Sequence, residues 1–218
     1  LRETRHGWLR LTPAYSVHLV RELVAARGRP DLPVLDPFAG TGTTLLVCAE
    51  QGIDGDSVDL NPLLRWLAAA KVARYSAPDR AAAAALTASL VRAALDTSAP
   101  PAWLPPLHHL DRWWLPARAR ALGRAIAALD TAPAPPRARD LARLAFCRAL
   151  IDTANVSFGH QSLSFRPPPA RQCARAAATT VASALTAAYD SIAGAAATPL
   201  PRATLRTHLD DARTLATL

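Results

Sequence analysis

The stretch Val34–Leu35–Asp36–Pro37–Phe38–Ala39–Gly40–Thr41–Gly42–Thr43–Thr44 constrains this chain more than any other. A short apolar run, two glycines and then helix-compatible residues read as strand, tight turn and helix, the helix beginning near Thr43 or Thr44. A second candidate strand, over 53–59, ends in Asp59, 17 positions after Gly42. Glycines let a backbone approach a ligand closely, and a carboxylate at the tip of the next strand can accept hydrogen bonds from both ribose hydroxyls. The pattern predicts a nucleoside-cofactor site.

The residues after the glycines exclude two other nucleotide motifs. A phosphate-binding loop needs a lysine before Ser or Thr, whereas Gly42 is succeeded by Thr43–Thr44. A dinucleotide fingerprint needs Gly or Ala three positions after the second glycine, where this chain has Leu45. The expected cofactor therefore has no pyrophosphate, and backbone contacts and a carboxylate hold it.

The flanking chain supports a parallel sheet. Thr12 and Pro13 read as an N-cap and first helical residue, with Val17, Leu19, Val20, Leu23 and Val24 at helical spacing up to a stop at Gly28. Val34–Asp36 is the first strand, and Thr43–Gln51 is a helix stopped by Gly52. Asn61–Pro62 starts a further helix to about 75, with apolar positions Leu63, Leu64, Trp66, Leu67 and Val72. Strand–helix–strand–helix with short connections is the pattern of a parallel sheet covered by helices. Residues 78–200 change character: alanine-rich helical segments over 80–95, 117–129, 137–155 and 170–193 are separated by proline clusters, and no segment alternates like a strand. Alternation returns at 204–209, a third strand ending at Asp210–Asp211–Ala212–Arg213.

Of the 25 Lys and Arg residues, 24 are arginine and only Lys71 is lysine, a bias that GC-rich codons account for in part. The net charge of +8 nonetheless favours a polyanionic partner. Cys48, Cys147 and Cys173 are too few and scattered for a disulfide framework or a zinc site, and Cys48 reads as a small core residue. No metal is expected, because the adjacent His108 and His109 near Asp111 cannot both face one ion from a regular helix. Trp113–Trp114 reads as the anchor of the helical region onto the core. The polar, aromatic segment 155–166 is either a nucleic-acid contact or a structured interhelical loop. With no apolar run of membrane-spanning length and no signal peptide, a cytoplasmic protein without a membrane partner is expected. The absence of methionine and the start at Leu1 suggest a processed, trimmed or incomplete chain.

The segment 36–44 resembles the S-adenosylmethionine motif of DNA methyltransferases that act on exocyclic amino groups, adenine N6 or cytosine N4. Asp-Pro-Phe ahead of Gly-x-Gly-Thr is narrower than a glycine pair alone. Leu11–Thr12–Pro13, Val58–Asp59–Leu60–Asn61–Pro62 and Leu209–Asp210–Asp211–Ala212–Arg213 resemble neighbouring segments of that family in the same order. The resemblance covers about 6–75 and 203–218. It implies an α/β, Rossmann-like methyltransferase core with a partial sheet, divided as cofactor-binding core 1–76, helical insertion 77–202 and return to the sheet 203–218.

The resemblance also implies roles. Thr12 and Pro13 would border the methionine end of S-adenosylmethionine, and Asp36 would lie near its amino-acid end. Pro37, Phe38, Ala39, Gly40, Thr41, Gly42, Thr43 and Thr44 would form the turn beside it. Asp59 would take the ribose hydroxyls, with Asn61 next to it and Leu60 packing along the adenine. Asp211, next to Ala212, would accept from the adenine amino group, with Asp210 an equal candidate. The implied partner is duplex DNA with an extruded base. The family's Ser/Asp/Asn-Pro-Pro-aromatic loop, which grips the acceptor amine, has no counterpart here. Ala99-Pro100-Pro101-Ala102-Trp103 lacks the polar residue, so catalytic residues stay unassigned. The expectation is a fragment whose loop lies beyond Leu218 or on a second chain. An RNA guanine amino-methyltransferase, or a non-catalytic cofactor- or nucleic-acid-binding half of a split enzyme, remain alternatives.

Overall fold

The computed structural model describes residues 3–9, 15–29, 31–101, 103–157, 164–166 and 172–218. Strands β1 (Val34–Asp36), β2 (Gly55–Asp59) and β5 (Leu205–Leu209) form a parallel sheet in the order β1-β2-β5. Val34 lies opposite Gly55, and Gly55 opposite Leu205. Parallel neighbours require a crossover, and helix α2 (Thr43–Gln51) supplies it between β1 and β2. The fold is thus α/β. It divides into two compact units, 1–74 with 195–218, and 75–194.

Local chemistry sets the elements of the first unit. Gly42 and Gly52 bound α2, both in the left-handed region at φ 76° and 69°. Asn61 caps helix α3 (Pro62–Val72) by accepting from the Leu63 amide at 2.9 Å, and Pro62 occupies a position where its missing amide is no loss. Helix α1 corrects one expectation: it spans Val17–Arg27 with Ser16 as N-cap, so Thr12 and Pro13 do not start it, and both lie outside the described residues. Only Val20 and Val24 of its apolar positions are buried, packing with Val47 and Cys48 of α2, while Leu19 and Leu23 are each 53% exposed. Helix α3 ends at Val72 rather than near 75, where Ala73 turns extended.

The second unit is helical: α4 (Ala77–Leu95), α5 (Leu110–Trp113), α6 (Pro116–Thr131), α7 (Pro136–Asp152) and most of α8 (Ala174–Ala197). Ser76 and Asp79 form a reciprocal capping box at the start of α4. Alanines at the contacts let these helices approach closely around Leu90, Leu122, Leu129 and Leu185. A short antiparallel pair, β3 (Val156–Ser157) with β4 (Ser164–Phe165), corrects the strand-free reading of this region; two-residue strands are too short to alternate. Trp114 corrects another expectation. It is buried in the helical unit's own core, its Nε1 donating to the Leu150 carbonyl at 3.0 Å.

Arginine has a recurring structural use. The last carbonyls of an α-helix have no partner within it, and a guanidinium carries enough donors to serve several at once. Arg5 donates to the carbonyls of Lys71 and Ala73 at the end of α3 and of Ala196 and Thr198 at the end of α8. Arg124 does the same for Ala93 and Ala94 of α4, and Arg139 for Leu129 and Ala132 at the end of α6. Part of the basic excess is therefore spent on helix ends.

Candidate functional site

Three strand tips meet at one edge of the sheet. After β1 the chain turns through 37–42, and the Ala39 amide donates to the Val58 carbonyl at 2.9 Å, joining the turn to β2. The Gly42 amide closes the turn on the Ala39 carbonyl at 2.8 Å. Gly40 and Gly42 both hold positive φ, 50° and 76°. Their surroundings differ. A Cβ on Gly42 would stand 2.7 Å from the Ala68 Cβ of α3, whereas a Cβ on Gly40 would meet nothing nearer than the Phe38 carbonyl oxygen at 3.9 Å. Gly42 lets the turn pack on α3, and Gly40 faces open space.

Asp59, at the tip of β2, holds the turn. Its Oδ2 accepts from the Gly40 amide at 2.9 Å and its Oδ1 from the Asn61 amide at 2.8 Å. Beyond β5, the Asp210 amide donates to the Asp59 carbonyl at 3.3 Å. The Asp211 carboxylate is engaged by the Arg213 guanidinium and the Arg213 amide, which lower its pKa to about 2. Asp210 accepts from the Asp211 and Thr217 amides, both at 2.7 Å, and so shapes the turn after β5.

Asp36 is 7% exposed. Its Oδ1 accepts from the Phe38 amide at 3.1 Å, while the buried Oδ2 has no partner among the described residues. Its charge is felt by Cys48, whose thiol is pushed up to about 11 by burial first and Asp36 second. A thiol held there stays protonated and is no nucleophile. On the other side of the turn, Lys71 of α3 donates from Nζ to the Thr41 carbonyl at 2.8 Å, and burial lowers its pKa to about 8.

The structure brings together Asp36, Pro37, Phe38, Ala39, Gly40, Thr41, Gly42, Thr43, Thr44, Asp59 and Asn61. Thr41 and Thr43 are buried, and Phe38 and Leu60 stand out at 69% and 68% exposure. Asp211 and Ala212 sit in the turn after β5, half-buried. Sequence reasoning missed Lys71. Its signals were its place on the buried face of α3 with Leu67 and Ala68, and its being the chain's one lysine.

Other candidates fall elsewhere. Among the described residues, no three metal-capable side chains converge, and His108 and His109 stack edge to face at 3.9 Å. The carbonyl of Trp103, from the Pro-Pro-containing segment, packs against Gly123 of α6, and the element directly before that segment is helix α4. In the segment 155–166, Phe165 packs edge-on to Trp113 and beneath Arg112, while 158–163 lie outside the described residues.

Over 60 residues the chain is 35% identical to Type II methyltransferase M.AvaI of Nostoc sp. (strain PCC 7120 / SAG 25.82 / UTEX 2576), and equally to M.AvaI of Anabaena variabilis. The matched stretch takes in 27% of this chain and 12% of each relative. No family profile and no solved structure matches.

Proposed function

We propose that the 36–61 region binds S-adenosylmethionine and that the chain is the cofactor-binding part of a DNA methyltransferase acting on an exocyclic amino group, on a Rossmann-like core. The observation that carries this reading is the pairing of an open glycine turn with a buried acceptor: Gly40 faces free space, and Asp36 Oδ2 is buried without a partner among the described residues. An unpaired buried carboxylate oxygen is costly, so it suits a cationic group of a ligand. The short similarity to M.AvaI supports the same reading.

The residues fit the cofactor in their chemistry. S-adenosylmethionine supplies the methyl group on a sulfonium. Asp36 would face the cationic amino-acid end, Asp59 would offer its remaining lone pairs to the ribose hydroxyls, and the exposed Leu60 would cover the adenine. Asp211, tied to Arg213, would have to share its carboxylate with the adenine amino group. The chain's share of catalysis would be to orient the donor and exclude water around it. The charge of +8 favours a polyanionic partner such as duplex DNA.

Calorimetry with S-adenosylhomocysteine tests the reading. Saturable binding at one site is expected, weakened by about 1–3 kcal/mol in Asp59→Ala, for loss of a charged acceptor. No binding to the parent chain would overturn it.

A further inference from the structure

The glycine turn rests on α3 through two residues one helical turn apart. Ala68 meets Gly42 so closely that no Cβ fits between them, and Lys71 reaches the adjacent Thr41 carbonyl at 2.8 Å. The backbone 40–42 is thus pinned from below by α3 and from the side by Asp59, while its Gly40 face is open. Lys71 is only 1% exposed, and the Thr41 oxygen is its one hydrogen-bond acceptor among the described residues. Burying an ammonium for one carbonyl is unfavourable unless that contact serves something else. The choice of residue is telling in a chain that uses arginine at 24 of 25 basic positions, including its internal helix clamps. A compact ammonium can donate to a single carbonyl in a closed space where a planar guanidinium cannot.

We propose that Lys71 is a positioning residue for the methyl-donor site: its ammonium holds the Thr41 carbonyl and so keeps the Gly40–Thr41–Gly42 backbone in the shape that receives the ligand. This rests on the proposed S-adenosylmethionine site. Because the ammonium donates to the Thr41 carbonyl more strongly than the neutral amine would, the ligand binds the protonated form better, and by linkage affinity falls as pH rises through the Lys71 pKa. Of the other charged groups in this part of the unit, Arg5 serves the Lys71 main-chain carbonyl, Glu50 of α2 pairs with Arg21 and lies 3.3 Å from His6, and Asp36 accepts from Phe38 through Oδ1 while its Oδ2 stays without a partner among the described residues. Burial alone lowers the Lys71 pKa, with no charged neighbour contributing.

The test compares the full chain with Lys71→Met, which keeps length and volume, and with Lys71→Arg. In Lys71→Met, S-adenosylhomocysteine affinity should fall about tenfold at pH 7, as expected for a lost charge-assisted contact. The wild-type affinity should decline toward the mutant value between pH 7 and 9.5. Subtracting the two curves removes the titration of the ligand's own amino group. Lys71→Arg should not restore affinity. Independently of ligand, amide exchange at 41–44 should accelerate in Lys71→Met while the protection of α6 and α7 is unchanged. Since the chain holds one lysine, 13C-lysine labelling yields a single side-chain Cε signal, whose pKa should rise when S-adenosylhomocysteine is added. Equal affinities and pH profiles in wild type and Lys71→Met would overturn the Lys71 role while leaving the cofactor site intact. If the wild type binds no S-adenosylhomocysteine, the cofactor reading falls, and unchanged exchange at 41–44 would then overturn the pinning of the turn as well.

Discussion

The Gly40 amide donates to Asp59 Oδ2 at 2.9 Å, across 19 residues of sequence and from one strand tip to the next. The other oxygen of the same carboxylate takes the Asn61 amide at 2.8 Å. One side chain therefore fixes both the glycine turn and the entry to α3, before any ligand is considered. A carboxylate placed this way serves the fold directly, and in the proposed site it would serve ligand binding as well.

Replacing Asp59 should affect both. Asp59→Ala removes two amide acceptors and is expected to cost about 1–3 kcal/mol of stability. Asp59→Asn keeps one acceptor oxygen and should lose about half as much. Urea denaturation of the three proteins measures the order. Wild-type stability in Asp59→Ala would show that the two bonds contribute nothing net.

The two glycines of the turn should separate stability from binding. Gly42→Ala combines a left-handed backbone with a Cβ 2.7 Å from Ala68, so a loss of about 2–4 kcal/mol is expected. Gly40→Ala meets open space and carries only the backbone cost, about 1–2 kcal/mol. Its new methyl group instead occupies the face that the proposed ligand would use. Gly40→Ala should therefore be the milder change in thermal melts and should abolish S-adenosylhomocysteine binding. The reverse order in the melts would contradict the close packing of Gly42 on α3.

The clamp by Arg5 predicts a large effect far from the turn. Arg5→Ala strands carbonyls at the ends of α3 and α8, and a loss of about 2–4 kcal/mol is expected. Arg5→Lys brings a single ammonium in place of a fork and should recover only part of it. Amide exchange should accelerate first at the last turns of α3 and α8. A protein unchanged in denaturation would mean that water replaces the guanidinium at no cost.

The elements around the site are legible in the sequence because their boundaries are set locally. The glycines at 42 and 52 and the Asn61–Pro62 pair dictate backbone geometry wherever they occur, and α2 matches its expected limits. Burial is not legible in the same way. On α1 the sequence offers Leu19 and Leu23 beside Val20 and Val24, and only contacts with α2 decide that the valines go inside. Those leucines, with Tyr15 and Leu32, line an open groove of about 550 Å³ along β1. Lys71 gives little sign of its role because a lysine in a helix normally faces solvent, and its partner Thr41 lies 30 residues earlier. Arginine reads as surface charge for the same reason. Arg5 finds its carbonyls at separations of 66 to 193 residues, which no local pattern announces.

The sheet carries a further charged cluster with a predictable acid response. Asp56 of β2 is buried, and Arg206 of β5, its opposite partner in register, donates to both its oxygens at 2.7 and 2.8 Å. His208 Nε2 approaches the same carboxylate at 2.9 Å. The hydrogen bond from Arg206, against a smaller opposing effect of burial, lowers the Asp56 pKa from 3.8 to about 2. A carboxylate whose pKa is lower folded than unfolded binds its proton preferentially in the unfolded chain. Its stabilisation is therefore complete above about pH 4 and is lost as pH falls from there toward about 2. Asp56→Asn should lower stability at neutral pH by about 1–3 kcal/mol, for a buried hydrogen-bonded charge. It should also flatten the acid limb of the stability curve. Asp211, likewise lowered to about 2, contributes equally to both proteins and cancels in their difference. If the difference between wild type and Asp56→Asn is constant from pH 5 down to pH 2, the cluster is held by packing and not by its charge.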